Sequence, residues 1–213
     1  MLETDYSIYL TIKEEKLSSY HTVLQLILNQ TLCELEKRPE DAEPILFLID
    51  ELPRILSAGK LEKLLDGIKT LRSRHVRLML VTQSLEALCT AYSENEAIDL
   101  ISNCNYKIIL DASSVKTQKM ICEWVGKYKE RRLSDSNGKS RQTTTSYEEK
   151  DILQPSDLIT LAQSGELILI SPYGYHRIKK CPYYADRYFK PLADEIMQHN
   201  QTIQEITKRR SDP

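Results

Sequence analysis

Two carboxylates, Asp50 and Glu51, close the apolar run ILFLIDE. An acidic pair at the carboxyl edge of a buried strand suits phosphate chemistry. The first carboxylate holds Mg²⁺, usually through water, and the second orients or deprotonates an attacking water. In open α/β sheets, ligands gather beyond the carboxyl ends of the strands, where this pair would stand. The same two residues also suit the start of any helix that follows a buried strand, where negative charge meets the helix dipole. A second apolar run, VRLMLVTQS, ends in Thr82 and Gln83. An amide there would stand beside the carboxylates and position water or sense a phosphate. It is equally a polar strand end, with Ser84 capping the next helix. Between the runs lies LRSRHVR, with Arg72, Arg74 and Arg77. A solvated basic helix end accounts for these arginines. So does an arginine finger reaching the phosphate of a neighbouring subunit, worth roughly 10³–10⁵ in rate.

Other candidates carry less. The six glycines (59, 67, 126, 138, 165 and 174) form neither GxGxxG nor GxxxxGK[ST]. Gly138-Lys139-Ser140 has the tail of the latter pattern, but position 133 is Leu and no hydrophobic strand precedes it. A phosphate cradle needs a strand feeding a tight loop at a helix start. His21, His75, His176 and His199 lie far apart without ligand spacing, and the five cysteines include no CxxC. That pattern points to reduced thiols rather than a disulfide frame or a zinc site. YGYHRIKKCPYY (173–184) sets tyrosines among basic residues, as a nucleic-acid or partner surface does. An amphipathic edge hairpin has the same composition.

These residues need elements to position them. DYSIYLTI (5–12) reads as a strand. Leu17, Tyr20, Val23, Leu24, Ile27, Leu28 and Leu35 recur at helical spacing over 15–37. ILFLID (45–50) and VRLMLVTQS (76–84) read as strands buried on both faces, as in parallel sheets. Leu61, Leu64, Leu65, Ile68 and Leu71 form a helical stripe between them. A helix over 84–101 and a third strand, YKIIL (106–110), follow. Ser113 or Ser114 then caps a helix ending at Gly126. ELILIS and YHRIKK flank Pro172–Gly174 as a hairpin. Residues 127–151 contain almost no aliphatic side chain and read as a mobile insert or an exposed polar hairpin. Strand–helix alternation makes the chain α/β, with a mostly parallel sheet flanked by helices and an antiparallel edge hairpin near the C-terminus.

The bulk numbers agree with one domain and an appendage. The chain has 213 residues and 29 basic against 31 acidic side chains, so a chain-wide basic surface for nucleic acid is excluded, though a local patch is not. A hydrophobic share of 41% and a charged share of 28% fit a globular protein with a real core. No apolar run approaches 18 residues, so the chain is not expected to touch a membrane by itself.

In this order, SIYLTI, ILFLIDELPRI, LEKLLDGIKTLRSRHVRLMLVTQSLEAL, ISNCNYKIIL, KMICEWVG and LILISPYGYHRIKKCPYYADRYF resemble the C-terminal half of the motor domain of type IV secretion coupling proteins, the TraG/TraD-type conjugative ATPases. The resemblance covers about residues 5–190. It implies a partial RecA-like P-loop NTPase fold over 1–190, with 127–151 as a flexible insert and 191–213 as a polar helical tail. It further implies a hexameric, ATP-driven DNA pump on the cytoplasmic side of the bacterial inner membrane, working with relaxosome and secretion-channel proteins. By residue, Asp50 falls on the Walker B Mg²⁺ position, Glu51 on the catalytic carboxylate and Gln83 on the glutamine ending the next strand. Arg72 is the preferred finger candidate and Arg74 the second. The family's Walker A loop, membrane anchor and all-α domain would precede Met1. ATP and Mg²⁺ are therefore implied as cofactors, but this polypeptide alone is expected to bind nucleotide weakly or not at all, and its partners include the missing motor half. Two other readings stay open: a non-catalytic docking module for relaxosome or secretion partners, and the related channel-energising ATPase of the same systems.

Overall fold

The computed structural model describes residues 7–136 and 142–199. Helix α1 (Glu14–Glu36) runs from an uncapped Lys13 to Lys37, shortly before Pro39. Its buried line is Leu24, Leu28, Leu32 and Leu35. Tyr20, Val23 and Ile27, expected on that face, are exposed. A seven-residue selection spans more of the helix circumference than one packing partner covers. Arg38, just past the helix, is 4% exposed and donates to the carbonyls of Arg74 (2.9 Å) and Glu43 (2.6 Å), so its burial is matched by hydrogen bonds.

Strands β1 (Ile45–Ile49) and β2 (Val76–Leu80) pair in parallel, Ile45 opposite Val76 through Ile49 opposite Leu80. Helix α2 (Leu52–Ile55) and a 3₁₀ turn (Leu56–Ala58) follow β1; α3 (Glu62–Thr70) and a second 3₁₀ turn (Leu71–Arg74) lead into β2. The expected stripe on α3 holds: Leu61, Leu64 and Leu71 are buried, and Leu65 and Ile68 pack partly against the same core. Both strands were expected to be buried on two faces, and here they are not. Ile45, Phe47 and Ile49 turn inward, whereas Leu46 is 61% and Leu48 49% exposed, with Arg77 and Met79 beside them on the same face. Among the described residues only one layer of helices covers this sheet.

The helix expected over 84–101 is two, α4 (Leu85–Ala91) and α5 (Glu94–Asn103). Ser93 breaks it by forming a capping box with Glu96. Tyr92 fills the joint at 2% exposure. Its hydroxyl accepts from the Leu61 amide (3.2 Å) and donates to the Leu61 carbonyl (3.0 Å).

A second, antiparallel sheet has the order β3 (Lys107–Ile109), β6 (Glu166–Ser171), β7 (Gly174–Lys179). Gly174, at φ +124°, makes the predicted hairpin turn. Helix α6 (Val115–Val125) packs on this sheet with α7 (Pro155–Ile159) and α8 (Leu161–Ser164), around Ile109, Ile121, Leu158 and Ile168. Trp124 touches both cores. The polar insert forms a ribbon, β4 (Lys127–Ser136) against β5 (Gln142–Asp151). Residues 7–13 form no strand, contrary to expectation, because nothing among the described residues pairs with them; residues 5 and 6 lie outside the described set. Residues 189–199 are helical; Gly138-Lys139-Ser140 and the basic end of the tail also lie outside it.

Candidate functional site

The hydrogen-bond ladder between β1 and β2 runs on past both strand ends. The Val81 amide donates to the Ile49 carbonyl (2.9 Å), and the Leu52 amide to the Val81 carbonyl (3.0 Å). Asp50 and Glu51 are therefore held in a turn sewn at both ends to the residue before Thr82 and Gln83. Glu51 adopts a left-handed backbone, φ +50° and ψ +44°. For a non-glycine residue this costs on the order of 1 kcal/mol, and such positions concentrate at functional sites. The turn folds the Asp50 carboxylate back to accept the Glu51 amide at 2.9 Å. It also aims the Glu51 side chain at β2.

Gln83 meets it there. Its amide nitrogen lies 3.5 Å from Glu51 Oε1, a long contact between residues 32 apart in sequence. Thr82 fixes the approach of Gln83 by donating to the Ser84 carbonyl (2.8 Å) and accepting from the Ser84 amide (3.3 Å). The structure thus brings Asp50, Glu51 and Gln83 together at one rim. Arg72 stands elsewhere, exposed in the 3₁₀ turn that enters β2 at its opposite end. Arg74, nearby, pairs with Glu40 at 3.6 Å. A finger acts on a neighbouring subunit, so distance from Glu51 within one chain is no test of that role.

One participant escaped the sequence reading. Arg54 Nε lies 3.0 Å from Glu51 Oε2, so arginine and glutamine hold the two oxygens of one carboxylate. The i, i+3 spacing in DELPR was the available signal. The Arg54 carbonyl in turn is held by the His21 ring (2.8 Å) and the Ser57 hydroxyl (2.8 Å), which anchors the short α2 to α1.

Glu86 was missed as well. It ties the first sheet unit to the second, accepting from Ser84 (3.0 Å) within α4 and from Thr117 (3.1 Å) and Ser114 at the start of α6. The Ser114 hydroxyl foremost, helped by Glu86's own amide, Ser84 and Thr117, holds its carboxyl down at about 2. Ser114 thus sits at the N-cap position, as expected, yet spends its hydroxyl on Glu86 instead of the helix end.

Mg²⁺ is the metal this donor set would suit. Asp50 is exposed and offers hard oxygen, and Mg²⁺ keeps several waters while taking one or two carboxylates plus substrate phosphates. Among the described residues no three acidic, His or Cys side chains converge into a cage. The fit is therefore to a hydrated ion whose other ligands come from elsewhere.

The architecture identifies the fold. The chain superposes on solved structures of the bacterial conjugative coupling protein TrwB, RecA-like in fold. The unbound form matches with a TM-score of 0.66 and 18% identity, over 79% of this chain and 39% of that one. A form in complex with ADP and Mg²⁺ matches at 0.64 and 17%, over 84% and 41%. A family model described as type IV secretory system conjugative DNA transfer matches residues 1–211, and the chain belongs to that family. Among curated proteins, VirD4 of Agrobacterium fabrum is 24% identical over 194 residues, and VirD4 of Rhizobium rhizogenes 25% over 194. Each alignment takes in 88% of this chain but only 29% and 28% of the relative, so the chain spans under a third of the length of the curated relatives it matches. No helix among the described residues is long and apolar enough to cross a membrane.

Proposed function

We propose that this chain supplies the water-activating edge of an ATP-driven DNA-translocating motor in conjugation or type IV secretion. The observation that carries the reading is the Glu51–Gln83 contact at the ends of two paired parallel strands. Glu51 is the general base that orients the attacking water, with Gln83 as its second hydrogen-bonding partner and Arg54 fixing the carboxylate between turns of the cycle. Asp50 holds the hydrated Mg²⁺, which supplies charge neutralisation at the phosphates when bound. Arg72 acts in trans on a neighbouring copy, within a hexamer.

The phosphate cradle comes from a segment other than these residues. Among the described residues β2 pairs only with β1, and β3 only with β6, so each keeps one unpaired edge. Leu46, Leu48 and Met79 add an uncovered apolar face beside that edge. Both features suit a sheet completed by a further strand and its helix, carrying the phosphate-binding loop. The relatives, more than three times longer than the aligned part, have room for it.

The test is Mg²⁺-dependent ATP hydrolysis by the chain, alone and mixed with a P-loop-bearing segment from the same family. The chain alone should not turn over, and the mixture should. Glu51→Gln should then lower kcat by about 10²–10⁴ with little change in KM. Turnover by the chain alone, or turnover indifferent to Glu51→Gln, defeats the reading.

A further inference from the structure

The β4–β5 ribbon has two edges of opposite charge. Along the half next to the core, β4 presents Lys127, Lys129, Arg131 and Arg132 against one acid, Glu130; β5 presents Glu148, Glu149 and Asp151 against one base, Lys150. Cross-strand pairs within the ribbon use up most of these: Lys127 with Asp151 at 3.9 Å, Arg132 with Glu148 at 2.9 Å, and Lys150 with Glu130. Lys129 and Arg131 on β4 and Glu149 on β5 remain exposed, with no ion-pair partner among the described residues. Register puts all three on one face: Lys129 opposite Glu149, and Arg131 opposite Tyr147.

Among the described residues the ribbon joins no third strand, and it is tied to the second sheet unit at its base, where the Ile152 amide donates to the Gly126 carbonyl (3.1 Å) near the end of α6. Strands of ten residues reach about 34 Å. Both outer edges therefore carry unpaired backbone N–H and C=O groups, a template for another strand.

We infer that copies of this chain join edge to edge through the ribbon, β5 of one copy adding antiparallel to β4 of the next. In that pairing Glu149, which stands opposite Lys129 in its own ribbon, lies on the same face as the neighbour's Lys129 and Arg131 and gains both as further partners. The contact is heterologous, acidic edge to basic edge, so it propagates around a ring or along a filament instead of stopping at two copies. It requires no nucleotide and does not rest on the Glu51 reading.

Sedimentation velocity across a protein concentration series, at low and high salt, tests it. The wild-type chain should self-associate beyond a dimer, less so in high salt. Lys129→Glu, Arg131→Glu and Glu149→Lys should each weaken association by about tenfold. Arg131 stands opposite Tyr147 and only diagonal to Glu149 within its own ribbon, so of the three variants Arg131→Glu disturbs the internal pairing least. The double variant Lys129→Glu/Glu149→Lys should associate better than either single variant, yet less than wild type, because Arg131 then meets a like charge. Lys129→Glu mixed with Glu149→Lys should also associate, because acidic edges then meet basic ones in alternation although each ribbon keeps its internal repulsion. A wild-type chain that stays monomeric, an Arg131→Glu variant that associates normally, or a mixture no better than its components would overturn the proposal.

Discussion

The β1–β2 unit and the β4–β5 ribbon solve the problem of holding two strands in opposite ways. In the first, a helical layer buries one face, and polar groups far apart in sequence are caught between elements: Arg38, Tyr92 and the Glu51 turn. In the second, the described side chains are exposed or half-buried, and ion pairs of opposite charge cross between the strands. The hydrophobic effect scales with apolar area removed from water, whereas exposed ion pairs contribute roughly 0–1 kcal/mol each. The first arrangement can therefore hold strained backbone such as that of Glu51. The second leaves its outer edges unpaired among the described residues.

The largest effect that would break this contrast lies in the first core. Leu64→Ala, at a fully buried position, should cost about 3 kcal/mol in urea unfolding. A loss under about 1 kcal/mol would mean that the helical layer does not carry the unit.

Glu86 comes next, because it bridges the two sheet units. Its carboxyl is held at about 2, below its ordinary value of 4.5, so folding gains stability from it above pH 4.5, and that gain disappears as pH falls toward 2. Glu86→Gln should cost on the order of 2 kcal/mol at neutral pH and nothing near pH 2. Unfolding curves of the two proteins should thus converge over that window; a constant gap would assign the loss to packing instead.

Tyr92→Phe should cost about 1–2 kcal/mol, since it strands the Leu61 amide in the interior and leaves the Leu61 carbonyl with the Leu64 amide alone. The same burial lifts the Tyr92 phenol to about 12, so absorbance titration should find it ionising after the exposed tyrosines. The smallest change is expected in the ribbon. Arg132→Ala removes one cross-strand ion pair and should shift global stability by less than about 0.5 kcal/mol. An effect as large as that of Leu64→Ala would show that the ribbon belongs to the core after all.

Much of this was legible in the residues. Apolar runs placed β1, β2, β3 and β6, helical spacing placed α1 and α3, a serine cap and a glycine stop placed α6, and the acidic and amide strand ends were visible as DE and TQ. Three features were not. The strand over 5–12 was read from β-branched and aromatic composition, but a strand needs a neighbour to pair with, and residues 7–13 have none among the described residues. The long helix after Ser84 was read through Ser93, whose side chain recruits Glu96 and ends one helix by starting another. ILFLI was read as buried on both faces because apolar runs do not say which face will find a cover. Arg54 and Glu86 escaped for a shared reason: each matters through a partner that only folding chooses.

By itself the order of residues determined the α/β alternation, the carboxylate pair at the end of β1 and the glutamine at the end of β2, because period and residue type are local properties. Only the tertiary structure decided that Glu51 takes a left-handed turn, that Gln83 and Arg54 share its two oxygens, and that a sequence with almost no aliphatic side chains stands as a two-stranded arm. Those outcomes depend on contacts across 32 residues in one case and on register between two strands in the other, and neither distance nor register is written in any single segment.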